Sequence, residues 1–246
     1  MRWLRYARLM IQLMLGVMTV AFLFPFYGKA RRWQAVQRWS SGVVRCAGVV
    51  VRLDGVVPGA GMRVVGVANH ISWLDIPVLH SLWHVRFVAK SEVRRWPVVG
   101  WLSARTGTLF VERDKHRHAA RINNAIHQAF VDGDAVSIFP EGTTTCGDEL
   151  LRFHASLLQP AVDEQARIVP IAIRYTDATG QLQTAAAYVG EMSLMESIAK
   201  IVSLPCLFVH VQFLEPIDST GRNRRELAQL SHARIASALR LPPADS

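Results

Sequence analysis

Six short apolar runs alternate with longer segments of helical spacing, and this alternation limits the chain to few folds. The runs are rich in Val and Ile and lie at Val64–Ala68, Val85–Ala89, Thr108–Val111, Ala135–Phe139, Ile168–Arg174 and Leu207–Leu214. Segments with helical spacing separate several of them, at Ile76–Leu82, His118–Val131 and Arg222–Leu239. This order predicts an α/β fold in which helices flank a central, mostly parallel sheet.

Polar residues stand directly after several of these predicted strands. His70 follows the first strand, Lys90 ends the second, Arg113 follows the third and Glu141 follows the fourth. Ligands of open α/β sheets bind beyond the carboxyl ends of the strands. We therefore expect these side chains to meet at one edge of the sheet, although Lys90 also suits an exposed strand end and Arg113 a solvated loop.

The stretch Asn69-His-Ile-Ser-Trp-Leu-Asp75 places a histidine five residues before an aspartate, at a predicted strand-to-helix turn. A carboxylate bonded to one ring nitrogen fixes the imidazole tautomer and makes the other nitrogen a better base. The alternative is structural, since Ser72 and Asp75 also have the spacing of a helix capping box. The motif Gly-x-Ser-x-Gly is absent from the chain. A substrate is therefore expected to supply the nucleophile.

Four motifs in this order resemble those of the glycerophospholipid acyltransferase family. They are Asn69-His-x-x-x-x-Asp75, Gly107-Thr-Leu-Phe-Val-Glu-Arg113, Phe139-Pro-Glu-Gly-Thr143 and Ile168-Val-Pro-Ile171. The resemblance covers residues 63 to 190, and four motifs in the right order are specific. Thr144 departs from the commonest pattern, in which the third motif continues with Arg, and this leaves the acceptor head group open.

The resemblance implies roles for individual residues. His70 would be the general base and Asp75 the residue that orients it. The substrate-binding set would comprise Asn69, Lys90, Arg113, Glu141, Gly142, Thr143 and Thr144, with Arg113 as a phosphate ligand and Glu141, Gly142 and Thr143 at the glycerol-phosphate site. No metal and no bound cofactor are expected, because the acyl-CoA or acyl carrier protein thioester is a co-substrate.

Composition narrows the partners of the chain. Lys and Arg outnumber Asp and Glu by 28 to 19, which gives a net charge of +9 and favours an anionic partner. No nucleic-acid motif accompanies this charge, so no nucleic acid is expected. The three cysteines lack the spacing of a zinc or redox site. His80 and His84 lie four residues apart without a third ligand and are interpreted as surface or boundary residues.

The N-terminal segment is predicted to bind a membrane. Leu9–Tyr27 is almost wholly apolar and, at about 1.5 Å per residue, roughly matches the hydrocarbon core of a bilayer. Basic residues flank it on both sides, which favours a helix that dips into one leaflet and returns over a simple signal anchor. The expected organisation is a membrane-binding helical segment at 1–50, a catalytic domain at 51–240 and a loose tail at 241–246.

The resemblance implies a bacterial-type, membrane-associated 1-acylglycerol-3-phosphate acyltransferase that produces phosphatidate by acylating the sn-2 hydroxyl of lysophosphatidate. The catalytic domain is expected on the cytoplasmic face of the inner (cytoplasmic) membrane, where the lysophospholipid acceptor and the bilayer are its partners. Two alternatives remain. Phe139-Pro-Glu-Gly-Thr-Thr144 also resembles lyso-ornithine lipid acyltransferases, and a non-catalytic basic membrane-binding module would share the charge.

Overall fold

The computed structural model describes residues 2–111 and 116–242, with side chains of the second range described from residue 123 onward. The described helices are α1 (Arg2–Met18), α2 (Lys29–Cys46), α3 (Asp75–Leu82), α4 (Val99–Arg105), α5 (His116–Val131), α6 (Gln159–Asp163), α7 (Leu194–Ser203) and α8 (Arg224–Leu239). A π-helical turn at Thr19–Leu23 and a 3₁₀ turn at Phe24–Phe26 extend α1. Most of these helices flank the central sheet, as the alternation predicts.

The strands form a single mixed sheet. They are β1 (Val49–Gly55), β2 (Val64–Ala68), β3 (Val85–Lys90), β4 (Leu109–Val111), β5 (Ala135–Ile138), β6 (Arg167–Thr176) and β7 (Leu207–Phe213), in the order β1-β7-β6-β2-β5-β3-β4. The five strands from β6 to β4 run parallel, whereas β7 pairs with β6 in the antiparallel sense and β1 lies parallel to β7. The α/β class with a mostly parallel sheet is confirmed.

The edge strand β1 is absent from the predicted strands. It begins at Val49, two residues before the predicted start of the catalytic domain. Val50 and Leu53 remain exposed on it, so the strand lacks the buried apolar pattern of β2 and β5. An outer strand needs fewer apolar side chains than a central one, and its sequence signal is correspondingly weak.

Two hydrophobic layers cover the sheet. One layer contains side chains of α2, α3 and α7, with Leu79, Trp83 and Ile201 among its buried residues. The opposite layer contains side chains of α5, α6 and α8, including Phe130 and Leu227.

The N-terminal segment folds back on itself as a helical hairpin. Arg2–Phe26 is long and apolar enough to cross a membrane by length and composition, with a mean hydropathy of 2.1. The chain turns at residues 24–28, and α2 returns along α1. Gln12 and Trp39 bond reciprocally across the hairpin, because each side chain donates to the backbone carbonyl of the other. The two basic flanks of the apolar run therefore lie at opposite ends of the hairpin, with Arg2, Arg5 and Arg8 at its open end and Lys29, Arg31 and Arg32 directly after its turn.

Two glycines allow the hairpin helices to approach closely. A Cβ atom on Gly16 would lie 2.2 Å from the Trp39 indole, and one on Gly42 would lie 2.1 Å from the Gln12 amide. Gly16 is therefore a packing contact within α1 and does not interrupt the helix. Below this contact, Leu9 and Val43 pack with Ile198 of α7, which joins the hairpin to the rest of the protein.

Candidate active site

The strand order brings the predicted polar residues to one edge of the sheet. The parallel strands β2, β5 and β3 are neighbours in the sheet. β2 ends just before His70, β5 ends just before Glu141, and Lys90 is the last residue of β3. Arg113 lies outside the described residues. The predicted convergence therefore rests on three of the four side chains.

His70 and Asp75 form a hydrogen-bonded pair at this edge. The Nδ1 atom of His70 lies 2.8 Å from Asp75 Oδ2, and Asp75 is fully buried whereas His70 is 19% exposed. A carboxylate accepts hydrogen bonds, so Nδ1 carries the hydrogen and Nε2 holds the lone pair. The His70 ring also stacks on Phe139, with centroids 4.0 Å apart. The basic nitrogen is thus held in one orientation on the wall of a cavity.

Asp75 is held by donors from three directions. Its Oδ2 atom also accepts the backbone N–H groups of Ile71 and Ser72, at 2.8 and 2.9 Å. Its Oδ1 atom accepts the hydroxyl of Tyr175 at 2.8 Å. Asp75 thus accepts the Ser72 amide, as in a capping box, together with the bond to His70, but the Ser72 hydroxyl does not cap the helix. With hydrogen bonds on both oxygens, the carboxylate cannot rotate away from the imidazole.

Tyr175 is missing from the predicted site. It is fully buried on β6, 100 residues after Asp75, on the sheet face that α3 covers. Burial and the neighbouring Asp75 carboxylate raise the pKa of Tyr175 well above its usual value, so the phenol remains a donor. The available signal in the sequence is that Tyr175 directly follows the apolar run Ile168–Arg174, because a buried hydroxyl needs a hydrogen-bond partner. The sequence alone does not identify that partner.

Replacing Tyr175 by Phe is expected to lower kcat about tenfold, or about 1.4 kcal/mol, because one oxygen of Asp75 loses its side-chain donor. KM should change little, since the phenol lies behind Asp75 and away from the cavity. The downfield NMR resonance of the His70 Nδ1 proton should also shift. A stability loss with normal kcat and an unmoved resonance would instead assign Tyr175 a purely structural role.

The loop after β5 fixes the backbone of His70. Glu141 accepts the His70 backbone N–H at 2.8 Å through one oxygen and that of Leu151 at 2.9 Å through the other. The Thr145 backbone N–H donates to the His70 carbonyl at 2.9 Å. Both backbone groups of His70 are therefore bonded to residues of the third motif and its continuation.

Glu141 is buried, and this burial dominates its electrostatics. Burial raises the pKa of Glu141 to about 7, with smaller increases from Asp75 and Glu149, while the two backbone donors oppose the shift. The Glu141 carboxyl is not part of the cavity wall. The sequence interpretation turns this side chain towards the acceptor, whereas both of its oxygens bond backbone amides.

The remaining predicted residues divide into two groups. Asn69 is buried, and its amide pairs with both backbone groups of Ile173 on β6, at 2.9 and 2.7 Å. The second group, which consists of Lys90, Gly142, Thr143 and Thr144, lines the cavity. Gly142 has a φ of 69°, a backbone conformation that would be strained in a residue with a side chain. The Thr144 hydroxyl donates its hydrogen to the Tyr188 carbonyl, which leaves only its lone pairs for a ligand.

The cavity occupies about 1200 Å³ along the sheet edge. One end lies between apolar residues of the N-terminal hairpin, including Val17, Val20 and Trp39. The other end reaches the opposite helical layer, where His154, Gln159 and Arg224 line it. His70 lies between an apolar arm and a polar arm. None of the described residues that line the cavity is acidic.

His80 is an exception to the sequence interpretation, because it is buried and not at the surface. It lies on the face of α3 that α2 covers, with its ring 4.8 Å from Phe87 and 6.0 Å from Trp33. Burial lowers the pKa of His80 to about 3, so the imidazole is neutral. Within residues 2–111 and 116–242, the side chains that are described include no cluster of three or more potential metal ligands.

Comparison with known sequences gives a consistent family. The sequence model of the Acyltransferase family matches residues 50–174. A lyso-ornithine lipid O-acyltransferase of Pseudomonas aeruginosa is 35% identical over 87% of this chain and 80% of that protein. A 1-acyl-sn-glycerol-3-phosphate acyltransferase of Neisseria meningitidis is 34% identical over 79% of this chain and 76% of that protein. Relatives named for either acceptor are thus similarly close.

The fold also has a counterpart among solved structures. The 1-acyl-sn-glycerophosphate acyltransferase PlsC of Thermotoga maritima superposes with a TM-score of 0.70 at 19% identity. The match covers 98% of this chain and 97% of that protein, including the N-terminal hairpin. The architecture is therefore shared over nearly the whole chain.

Proposed function

Because this chain belongs to the glycerophospholipid acyltransferase family, we propose that it transfers an acyl chain from a thioester to the hydroxyl of a lyso-lipid. The observation that carries the proposal is the His70–Asp75 pair on the wall of a large cavity with an apolar arm. A histidine so oriented is a general base for alcohol attack. Two lipid chains and a carrier arm need a cavity of this size and polarity.

In the proposed reaction, His70 Nε2 accepts the hydroxyl proton as the lipid oxygen attacks the thioester carbonyl. The new C–O ester bond replaces the C–S bond, and the departing sulfur takes the proton from the imidazolium. The Asp75 carboxylate stabilises the positive ring that forms between these two transfers. Its fixed donors keep the carboxylate in place throughout the cycle.

The two arms of the cavity suit different parts of the substrates. Hydrocarbon chains fit the apolar arm, where their removal from water is favourable. The carrier portion of an acyl-CoA or acyl carrier protein thioester fits the polar arm, because its phosphate can pair with Arg224 at the exposed rim. Arg224 bonds a neutral group, the Gln159 amide oxygen at 3.2 Å, and this leaves most of its donors available. We assign no bound cofactor.

We propose 1-acylglycerol-3-phosphate as the acceptor, with phosphatidate as the product. Lys90 lines the same cavity as His70 and forms no ion pair with a described residue, so it suits the phosphate of lysophosphatidate. Arg113 is a proposed second phosphate ligand on the basis of its motif. Asn69 and Glu141 would act by positioning the β2 end and His70, while Gly142, Thr143 and Thr144 would contact the acceptor.

A lyso-ornithine lipid is the second candidate acceptor, and one observation favours it. Thr144 occupies the position where many relatives carry Arg, and its hydroxyl hydrogen is already committed to Tyr188. Of the described residues that line the cavity, Lys90 and Arg224 carry a full positive charge, and Arg224 lies in the polar arm. A zwitterionic head group with a carboxylate needs fewer cations than a phosphate dianion.

The Lys90→Met variant separates these acceptors. If lysophosphatidate is the acceptor, kcat/KM for it should fall about 30-fold, or about 2 kcal/mol, through loss of a charge-assisted contact. The exposed Lys200→Met variant is the matched control and should keep wild-type kinetics. Measured kcat/KM for both lyso-lipids gives the ordering, and a wild-type preference of about tenfold for the ornithine lipid would reverse it. The Thr144→Arg variant should then shift preference towards the phosphate.

Attachment to the membrane follows from the hairpin. Its turn exposes Phe22 and Phe26, at 61% and 83%, and the basic residues Lys29, Arg31 and Arg32 follow the turn directly. We propose insertion of the turn into one leaflet of the inner membrane from the cytoplasmic side, where basic flanks are favoured. Thiol release from acyl-CoA that depends on a lyso-lipid distinguishes this enzyme from a non-catalytic membrane-binding module.

A further inference from the structure

The segment between β3 and β4 exposes two tryptophans to solvent. It consists of a 3₁₀ turn at Ser91–Arg95 followed by α4, and we call residues 91–105 the tryptophan turn. Trp96, Val98 and Trp101 are 43%, 54% and 38% exposed. Arg94, Arg95 and Arg105 accompany them, against one carboxylate, Glu92. Exposed apolar side chains next to a net positive charge indicate a partner that is both apolar and anionic.

The tip of the tryptophan turn has an unusual backbone. Val98 has φ 62° and ψ −57°, and the Val99 N–H donates to the Pro97 carbonyl at 2.6 Å across it. These angles define a γ-turn that is rare for any residue and strained for a β-branched one. Gly100 closes the turn so tightly that a Cβ atom would lie 2.3 Å from the Arg94 carbonyl. Val98 thus lies at the tip of the segment, where it is about half exposed and also lines the cavity.

The tryptophan turn adjoins the N-terminal hairpin. Leu102 packs with Val20, Phe24 and Val36, so α4 lies beside the turn of the hairpin. The exposed residues Phe22, Leu23 and Phe26 of the hairpin thus lie close to α4, which belongs to a different part of the chain. The apolar arm of the cavity is lined by Val20 and Phe24 on one side and by Trp96 and Leu102 on the other.

We propose that the tryptophan turn is a second bilayer contact, which docks on an anionic lipid surface beside the opening of the apolar arm. Trp side chains favour the headgroup boundary, and arginines extend to the lipid phosphates while their stems remain in apolar surroundings. This inference rests on the proposed membrane attachment of the hairpin. With two contacts, the cavity opening faces the lipid from which the acceptor is drawn.

Site-specific fluorescence quenching tests the contact. In full-length protein with Cys46, Cys146 and Cys206 replaced by Ala, a fluorophore is attached to Val98→Cys, Phe26→Cys or Val56→Cys. The protein is reconstituted with vesicles of phosphatidylcholine and phosphatidylglycerol, with or without chain-brominated lipid. Val56 is the matched control because it is 85% exposed and follows β1, whose carboxyl end lies at the sheet edge opposite His70.

Quenching at Val98 and Phe26 should be severalfold greater than at Val56. Replacing Arg94 and Arg95 by Gln should reduce quenching at Val98 in anionic vesicles and leave that at Phe26 unchanged. If Phe26 is quenched and Val98 behaves as Val56 does, the second contact is wrong while attachment of the hairpin stands. If none of the three labels is quenched, both proposals fail. Quenching at Val98 that is insensitive to the arginine changes would contradict the anionic specificity.

Discussion

The His70→Ala variant is expected to lose activity by about 10³-fold or more in kcat, because no other described group can take the hydroxyl proton at that point. The measurement is thiol release from acyl-CoA in the presence of the best lyso-lipid acceptor. The exposed His127→Ala variant is the control for removal of an imidazole, since His127 pairs with Glu164 at the surface. It should retain wild-type rates.

Asp75→Asn should reduce kcat less, by about 10²-fold, since the imidazole remains but its orientation is no longer enforced. An amide can accept only through its oxygen, whereas Asp75 receives hydrogen bonds on both oxygens. If the His70→Ala protein folds normally and turns over near the wild-type rate, a base elsewhere must act, and the proposed mechanism is wrong.

The Glu141→Gln variant is expected to lower kcat by about 10²-fold with a KM for the acceptor within about threefold of wild type. The amide would place its NH₂ group against a backbone N–H of either His70 or Leu151, so one of the two bonds is lost. The free energy of unfolding should fall by about 1–3 kcal/mol for the buried group left unpaired. A large rise in acceptor KM with unchanged kcat would instead assign Glu141 to acceptor binding.

The same variant isolates a pH effect. The pKa of Glu141 is about 7 in the fold and near its usual value of 4.5 when unfolded. Between these values the folded protein retains a proton that the unfolded chain releases, so the free energy of unfolding falls as pH rises. The wild type should lose about 3 kcal/mol relative to Glu141→Gln across this interval, as denaturant unfolding at several pH values can measure. Equal pH dependence of the two proteins would contradict the shift.

The sequence predicts β2 and β5 well because each is an uninterrupted buried run. β2 is predicted with its observed bounds, and His70, Lys90 and Glu141 lie at one edge of the sheet because parallel strands end at the same edge. The order of the strands and the reversal at β7 depend on long-range packing. Neither leaves a mark in the local pattern.

Side-chain direction is where sequence interpretation of the site stops. A Pro-Glu-Gly turn after a strand indicates that Glu141 lies near the active edge, but it cannot distinguish a carboxylate aimed at a ligand from one aimed at backbone amides. Tyr175 joins the site only because β6 lies beside β2 and faces α3. His80 is buried only because α2 folds over α3. All three outcomes depend on contacts between distant segments.

The bonds from the 141–151 loop to His70 have a consequence for attempts to alter the acceptor. Glu141 and Thr145 grip both backbone groups of His70, while Thr143 and Thr144 between them face the cavity. A substitution in the middle of this loop, made to suit another head group, is therefore expected to displace His70 through one or both of these bonds. Homologous loops should therefore be grafted whole, from Phe139 to Leu151, so that a new head-group pocket arrives with its own support for the histidine.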